Sequence, residues 1–121
     1  MSAGVWLAVA LIGGAGSVLR FLVDGFVSSA ADGDFPYGTL AVNLSGAALL
    51  GLLTGLALSG DAALLAGTAA VGSYTTFSTW MLETQRLTER RRFRAAVLNV
   101  AVSLVLGIAA AELGRLLGAQ L

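Results

Sequence analysis

This sequence contains four apolar stretches, residues 1–19, 35–60, 62–82 and 95–111. Few of their side chains can do chemistry, and nearly all of those that can are hydrogen-bond donors. Arg20 ends the first stretch, Asn43 lies near the start of the second, and Ser103 lies in the fourth. Residues 73–79 of the third stretch, SYTTFST, add hydroxyl groups. No carboxylate lies inside any uncharged stretch. Polar groups at membrane depth are costly and mark candidate sites. Because these groups donate hydrogen bonds and one carries a fixed positive charge, they favour an anion pathway over a cation or proton pathway.

The densest polar cluster lies in the segment VGSYTTFSTWMLE, residues 71–83. Glycine, serine and threonine are poor helix formers, so we expect the helix to break within this segment. Non-helical backbone at membrane depth persists only inside protein or along a water-filled cavity, where its free carbonyls can bind a cation. The alternative is a continuous helix whose hydroxyls bond back to the preceding turn.

Each of the single candidate residues also has an ordinary structural interpretation. Asn43 can join two helices through its amide. Phe77 and Trp80 lie three residues apart and share a helix face. Such rings usually pack against neighbours, yet their edges carry partial positive charge and can face an anion. Arg20 can extend to the membrane interface or attract anions.

The composition excludes a soluble globular protein. Of the 121 residues, 57% are hydrophobic and 12% are charged, whereas about 25% of an average soluble domain is charged. Histidine and cysteine are absent, which removes disulfides, typical zinc sites and imidazole or thiol catalysis, so we expect no enzyme. Seven arginines balance seven acids and there is no lysine, so the chain offers no basic surface for nucleic acid.

Four uncharged stretches organise the chain; they cover residues 1–19, 35–60, 62–82 and 95–111. A helix rises about 1.5 Å per residue and the hydrocarbon core is about 30 Å thick, so each stretch can cross the membrane once. Some tilt, or thinning of the bilayer at the shortest stretch, adjusts the lengths. We predict an all-α integral membrane protein, a single domain of residues 1–121, with spans at about 3–23, 39–58, 62–85 and 94–114.

No basic residue precedes the first stretch, so we interpret it as a retained span and not as a signal peptide. The GxxxG spacing of Gly51 and Gly55 predicts close helix packing.

The arginines are distributed unevenly between the two sides that four spans would create. Six of them fall on the side of the first and third loops, and Arg115 alone falls on the other. The positive-inside rule therefore predicts a cytoplasmic third loop and external termini.

Three segments resemble the signature stretches of the CrcB/Fluc family of fluoride channels. They are GGAGSVLR at residues 13–20, GTLAVNLSGAALLG at 38–51 and GSYTTFSTWMLE at 72–83. The resemblance covers essentially the whole chain. It implies a dual-topology dimer of two subunits inserted antiparallel, with a break in the third span, two fluoride pores and one sodium ion at the dimer interface.

The resemblance also assigns expected roles to residues of this chain. Arg20 resembles the vestibule arginine and Asn43 the pore-lining asparagine. Phe77 resembles the first of two pore phenylalanines, and Trp80 occupies the position of the second. A hydroxyl track beside the rings is expected from Ser78, Thr79 and Ser103.

The expected sodium ligands are the backbone carbonyls of Gly72 and Thr75. Three residues depart from the family pattern. Trp80 replaces a phenylalanine, Ser73 replaces a glycine before the break, and Asn99 stands where a tyrosine is common. Glu83 matches a recurrent acid whose role the resemblance leaves open.

The function implied by the resemblance is passive, fluoride-selective export across a bacterial inner membrane, which lowers cytoplasmic fluoride. The alternatives are a non-conducting or complementary subunit of a heterodimeric channel, or a small proton-coupled exporter. An exporter needs an acid within the membrane, and Glu83, at a span end, is the sole candidate. The expected partners are lipid and a second subunit. The six-to-one arginine distribution favours a heterodimer over a homodimer, because a homodimer requires one sequence to insert in both orientations.

Overall fold

A computed structural model describes the whole chain, residues 1–121, as helices joined by short connections and without β-strands. The elements are α1 (Ala3–Ala30), α2 (Tyr37–Gly55), α3 (Gly60–Ala63), a π-helix (Leu64–Val71), α4 (Gly72–Tyr74), α5 (Ser78–Glu89) and α6 (Phe93–Ala119).

Local sequence signals explain where the long helices begin. The hydroxyl of Ser2 caps α1 by accepting a hydrogen bond from the N–H of Val5 at 3.2 Å. Pro36 stands directly before α2, where its fixed φ suits a helix start and its missing N–H costs nothing. Gly60 adopts a φ of 60° at the start of α3, a conformation that glycine tolerates best.

Three helices, α1, α2 and α6, are long and apolar enough to cross a membrane. The segment predicted as the third span consists of α3, the π-helix, α4 and α5, and each of these is shorter than a full crossing. Only 14 of the 121 residues are buried, and many large apolar side chains on α1 and α6 are exposed. An all-helical chain with so apolar a surface requires lipid or protein around it.

Helices α2 and α6 pack closely through glycines on both. A Cβ atom at Gly51 would overlap the backbone of Ala111, and one at Gly114 would overlap the carbonyl oxygen of Ala48. Gly55 and Gly118 lie one turn further along and are equally tight. Close packing at the GxxxG spacing is therefore confirmed, and α6 supplies a second pair of glycines four residues apart.

The connection between α1 and α2 meets the connection between α5 and α6 at one end of the bundle. Arg92 Nε lies 3.2 Å from Asp34 Oδ2, and both side chains are largely exposed. An exposed pair of this kind contributes little stability. Its value here is geometric, because it shows that both connections lie at the same end.

Candidate functional site: two cavities beside an interrupted helix

The backbone between α4 and α5 leaves the helical conformation at Thr75, whose φ of −82° and ψ of 162° are extended. The hydroxyls of Ser73 and Thr75 bond back to the preceding turn, to Ala69 O at 2.6 Å and Val71 O at 3.1 Å. Helical structure nevertheless stops at Tyr74 and resumes at Ser78.

Asn43 on α2 holds the interrupted segment through both ends of its amide. Its Nδ2 donates to the carbonyl oxygen of Thr76 at 2.8 Å, and its Oδ1 accepts from the N–H of Thr76 at 2.9 Å. One amide N–H of Asn43 remains for another acceptor. The two interpretations of Asn43 are therefore compatible, since it joins two elements and still presents a donor.

The interruption leaves two backbone carbonyls without their helical donors. In a continuous helix the carbonyl of Gly72 would accept from the N–H of Thr76, but that N–H donates to Asn43. The carbonyl of Thr75 would accept from the N–H of Thr79, which instead donates to Thr76 Oγ1 at 3.2 Å. Gly72 and Thr75 are the residues whose carbonyls were expected to bind sodium. Carbonyl oxygens without a helical donor suit a hard cation, so the residues present fit this ion.

The larger of two relevant cavities has a volume of about 410 Å³ and lies against the interrupted segment. Four of the predicted fluoride-pathway residues line it together: Asn43, Phe77, Trp80 and Ser103. Thr75 also lines it, and its remaining walls are mostly apolar side chains and glycines of α2 and α6. No acidic residue lines this cavity.

A smaller cavity of about 230 Å³ is lined by Arg20 and Thr79, the other two predicted residues with a cavity position. Asp24 and Thr39 contribute further polar walls. Thr76 lines both cavities, so the segment that Asn43 holds lies between them.

The two aromatic rings of the larger cavity meet edge to face. The ring centroids of Phe77 and Trp80 are 5.7 Å apart, and their planes are inclined by 84°. Phe77 is 70% exposed, an unusual degree for such a side chain. Trp80 Nε1–H donates to the backbone carbonyl of Asn99 at 3.0 Å, so the indole N–H is already engaged and the ring itself faces the cavity.

Asn99 completes this connection between α5 and α6. It is 1% exposed, and its Nδ2 donates to Thr84 Oγ1 at 2.8 Å and to the carbonyl of Trp80 at 3.4 Å. Its Oδ1 is buried without a hydrogen-bond partner. Two departures from the family pattern, Trp80 and Asn99, therefore contact each other.

Two predicted residues lie outside these cavities. Ser78 is exposed and lines neither cavity, although its Oγ lies 3.5 Å from Thr76 Oγ1. Gly72 is also exposed and lines neither.

Sequence reasoning missed three residues of the site: Asp24, Thr39 and Thr76. Asp24 follows Arg20 by four residues, so helix periodicity could have predicted a shared face. Thr39 is 2% exposed, and its Oγ1 has no hydrogen-bond partner although the residue lines the smaller cavity. Nothing distinguished Thr76 from its threonine neighbours in the sequence.

Comparison with known proteins agrees with the sequence motifs. Residues 7–115 match the family described as CrcB-like protein, Camphor Resistance (CrcB). A relative from Mycolicibacterium paratuberculosis, named Fluoride-specific ion channel FluC 2, is 71% identical over 111 residues, which cover 92% of this chain and 91% of the relative.

Two further relatives extend the similarity. A FluC 2 protein of Mycobacterium tuberculosis is 64% identical over 115 residues, covering 95% of this chain and 91% of the relative. The Fluoride-specific ion channel FluC 1 of Symbiobacterium thermophilum is 42% identical over 119 residues, covering 93% and 96%. Because the family match extends over nearly the whole chain and these relatives are similar end to end, this chain belongs to the CrcB-like family.

Proposed function

We propose that this chain is a subunit of a fluoride-selective channel that lets fluoride leave the cell passively. The observation that carries the proposal is the set of hydrogen-bond donors that line two cavities on the segment around Thr76, of which the larger has no acidic residue in its lining. Relatives with 64% and 71% identity bear the name Fluoride-specific ion channel, which supports the same function.

The chemistry of the lining suits a small, strongly hydrated anion. Arg20 raises the local anion concentration in the smaller cavity, where Thr79 offers a hydroxyl. The free N–H of Asn43 and the hydroxyl of Ser103 replace hydration water in the larger cavity. The edges of Phe77 and Trp80 carry partial positive charge and complete the shell without holding the ion tightly.

The proposed channel crosses the membrane four times. Helices α1, α2 and α6 each make one crossing, and residues 60–89 together make the other. The interruption in this crossing is compatible with lipid because Asn43 satisfies the backbone of Thr76 and the segment lies along cavities. The related channels come from bacteria, so we assign the protein to the bacterial inner membrane as a multi-pass protein.

A second subunit inserted in the opposite orientation completes the proposed channel. Phe77 and Gly72 are both exposed in a single chain, which leaves room for contacts with a second subunit. The carbonyls of Gly72 and Thr75 would hold a structural sodium ion there, which supplies positive charge to an interface rich in carbonyl oxygens. The six-to-one arginine distribution favours a partner with the opposite bias, and relatives named FluC 1 and FluC 2 are consistent with paired chains.

The decisive experiment measures fluoride efflux from liposomes that contain the purified chain, with and without a potassium ionophore. A channel gives rapid efflux that requires the ionophore, because net anion flow needs a compensating charge. Efflux coupled to proton uptake would contradict the channel and indicate an exporter. Efflux that appears only with a second CrcB-like chain would assign this chain to a heterodimer.

A charge variant tests the pathway itself. Asn43→Asp replaces the proposed donor with an acceptor-only anion, so we expect efflux to fall to the level of empty liposomes. The matched control is Gln85→Glu, which adds the same charge on an exposed position of α5 outside both cavities. Normal efflux through Asn43→Asp would remove Asn43 from the pathway.

A further inference from the structure

The connection between α5 and α6 concentrates positive charge at one end of a candidate membrane span. Residues 90–94 include four arginines, all of them exposed, and α6 begins at Phe93. Arg92 is the only one of the four within salt-bridge distance of a carboxylate, that of Asp34. The other three guanidinium groups therefore have no anionic partner within the chain.

Three of these arginines surround a groove of about 380 Å³, a size typical of small-molecule sites, for which about 300–1,000 Å³ is usual. Its lining combines guanidinium groups with apolar side chains: Phe35, Arg91, Arg92, Phe93, Arg94, Ala95 and Leu98. Phe93 is 58% exposed beside the groove. Arg90 lies outside it although it neighbours Arg91 in sequence.

The backbone at Arg91 has a conformation that is unusual for an arginine. Helix α5 ends in a Schellman motif, in which the N–H of Arg92 donates to Leu87 O at 2.8 Å and the N–H of Arg91 donates to Thr88 O at 3.0 Å. The motif requires a left-handed residue, and Arg91 has a φ of 57°. Glycine normally occupies this position because an L-residue is strained there. The chain thus tolerates strain while keeping a guanidinium group beside the groove.

We propose that this groove binds the phosphate headgroup of an anionic phospholipid. Arg91 and Arg94 contact the phosphate, and the exposed apolar surface of Phe93 and Leu98 lies against the lipid's glycerol and upper acyl region. A free phosphate ion would use the arginines and gain nothing from the apolar walls. The proposal requires that the chain is inserted in a membrane, and it is independent of fluoride conduction.

Intact mass spectrometry of the detergent-purified chain tests this site, with phosphatidylglycerol and phosphatidylcholine of identical acyl chains as probes. We expect retention of phosphatidylglycerol in clear preference to phosphatidylcholine. One basic residue beside an anionic headgroup usually strengthens binding about fivefold. Arg91→Gly should therefore weaken phosphatidylglycerol binding about fivefold, and the double variant with Arg94→Gln should weaken it about 25-fold.

Arg91→Gly also separates ligand binding from folding. The substitution relieves the left-handed strain, so its unfolding midpoint should equal or exceed that of the unsubstituted chain. Arg90→Gln is the matched control, because it removes one exposed charge from the same connection outside the groove. Arg90 has no contact with the proposed phosphate position, and a detergent micelle offers no extended anionic surface to attract it, so this variant should change binding less than about twofold.

Three outcomes would overturn the proposal. Equal losses in Arg90→Gln and Arg91→Gly would show diffuse attraction in place of a site. Equal retention of the two lipids would exclude recognition of the headgroup charge. Complete displacement of the lipid by inorganic phosphate at equal concentration would show that the apolar walls contribute nothing.

Discussion

Replacing Asn43 by alanine removes both hydrogen bonds that hold the backbone of Thr76. A hydrogen bond contributes about 0.5–1.5 kcal/mol net, and leaving its partner buried and unpaired costs more. Both residues are half-buried, so we expect Asn43→Ala to lower the free energy of unfolding by about 2–3 kcal/mol. Equilibrium unfolding in detergent micelles measures this change.

The same substitution should also weaken sodium binding. Without the amide of Asn43, the N–H of Thr76 becomes free to return to the carbonyl of Gly72 and extend α4, which removes a proposed sodium ligand. A ligand at 100 times its Kd stabilises the state that binds it by about 2.7 kcal/mol. We therefore expect sodium to stabilise the unsubstituted chain relative to N-methylglucamine by up to that amount, and to stabilise Asn43→Ala far less.

Ser45→Ala is the control for this experiment. Ser45 also lies on α2, and its hydroxyl lies 2.8 Å from that of Tyr74 without contacting Thr76. Its loss should cost about 1 kcal/mol and leave the sodium response unchanged. The reasoning fails if Asn43→Ala keeps the full stability and sodium response, or if Ser45→Ala loses the sodium response to the same extent.

Three shorter predictions concern the rings, the helix packing and the vestibule charge. Trp80→Phe loses the indole N–H bond to α6 and should cost about 1 kcal/mol of unfolding free energy while fluoride efflux continues; abolished efflux would show that the bond positions the pathway. Gly114→Ala forces a Cβ atom against a carbonyl of α2 and should destabilise the fold by about 1–3 kcal/mol, measured by thermal unfolding. The control Gly25→Ala adds a Cβ atom in open space, so it should be neutral or stabilising. Arg20→Gln should reduce efflux most at low ionic strength and less at high salt, in contrast to Arg115→Gln, which changes a residue that lines neither cavity. A salt-independent loss would exclude an electrostatic role of Arg20.

The sequence by itself was sufficient for the class of protein and for the types of side chain that line its larger cavity. A composition with 12% charged residues cannot cover a soluble surface, so a membrane protein followed from counting alone. The motifs were sufficient to name Asn43, Phe77 and Trp80, and the scarcity of polar side chains in the fourth stretch singled out Ser103; these four residues line one cavity. The GxxxG spacing on α2 likewise predicted a close helix contact, because small side chains remove the barrier to approach wherever they lie.

Only the tertiary structure decided which donors are engaged and which are free. Asn43 bonds to a residue 33 positions away, and Trp80 bonds to a carbonyl 19 positions away. Hydrogen bonds act over about 3 Å, so the register between packed helices selects one threonine among neighbours of the same type. That register depends on how closely α2, α5 and α6 approach, and no local pattern encodes the distance between two helices. The carbonyl of Gly72 is free for the same reason, because the amide of Asn43 takes the N–H of Thr76 that would otherwise pair with it. The carbonyl of Thr75 is freed by a local bond instead, in which the N–H of Thr79 donates to Thr76 Oγ1 three residues earlier.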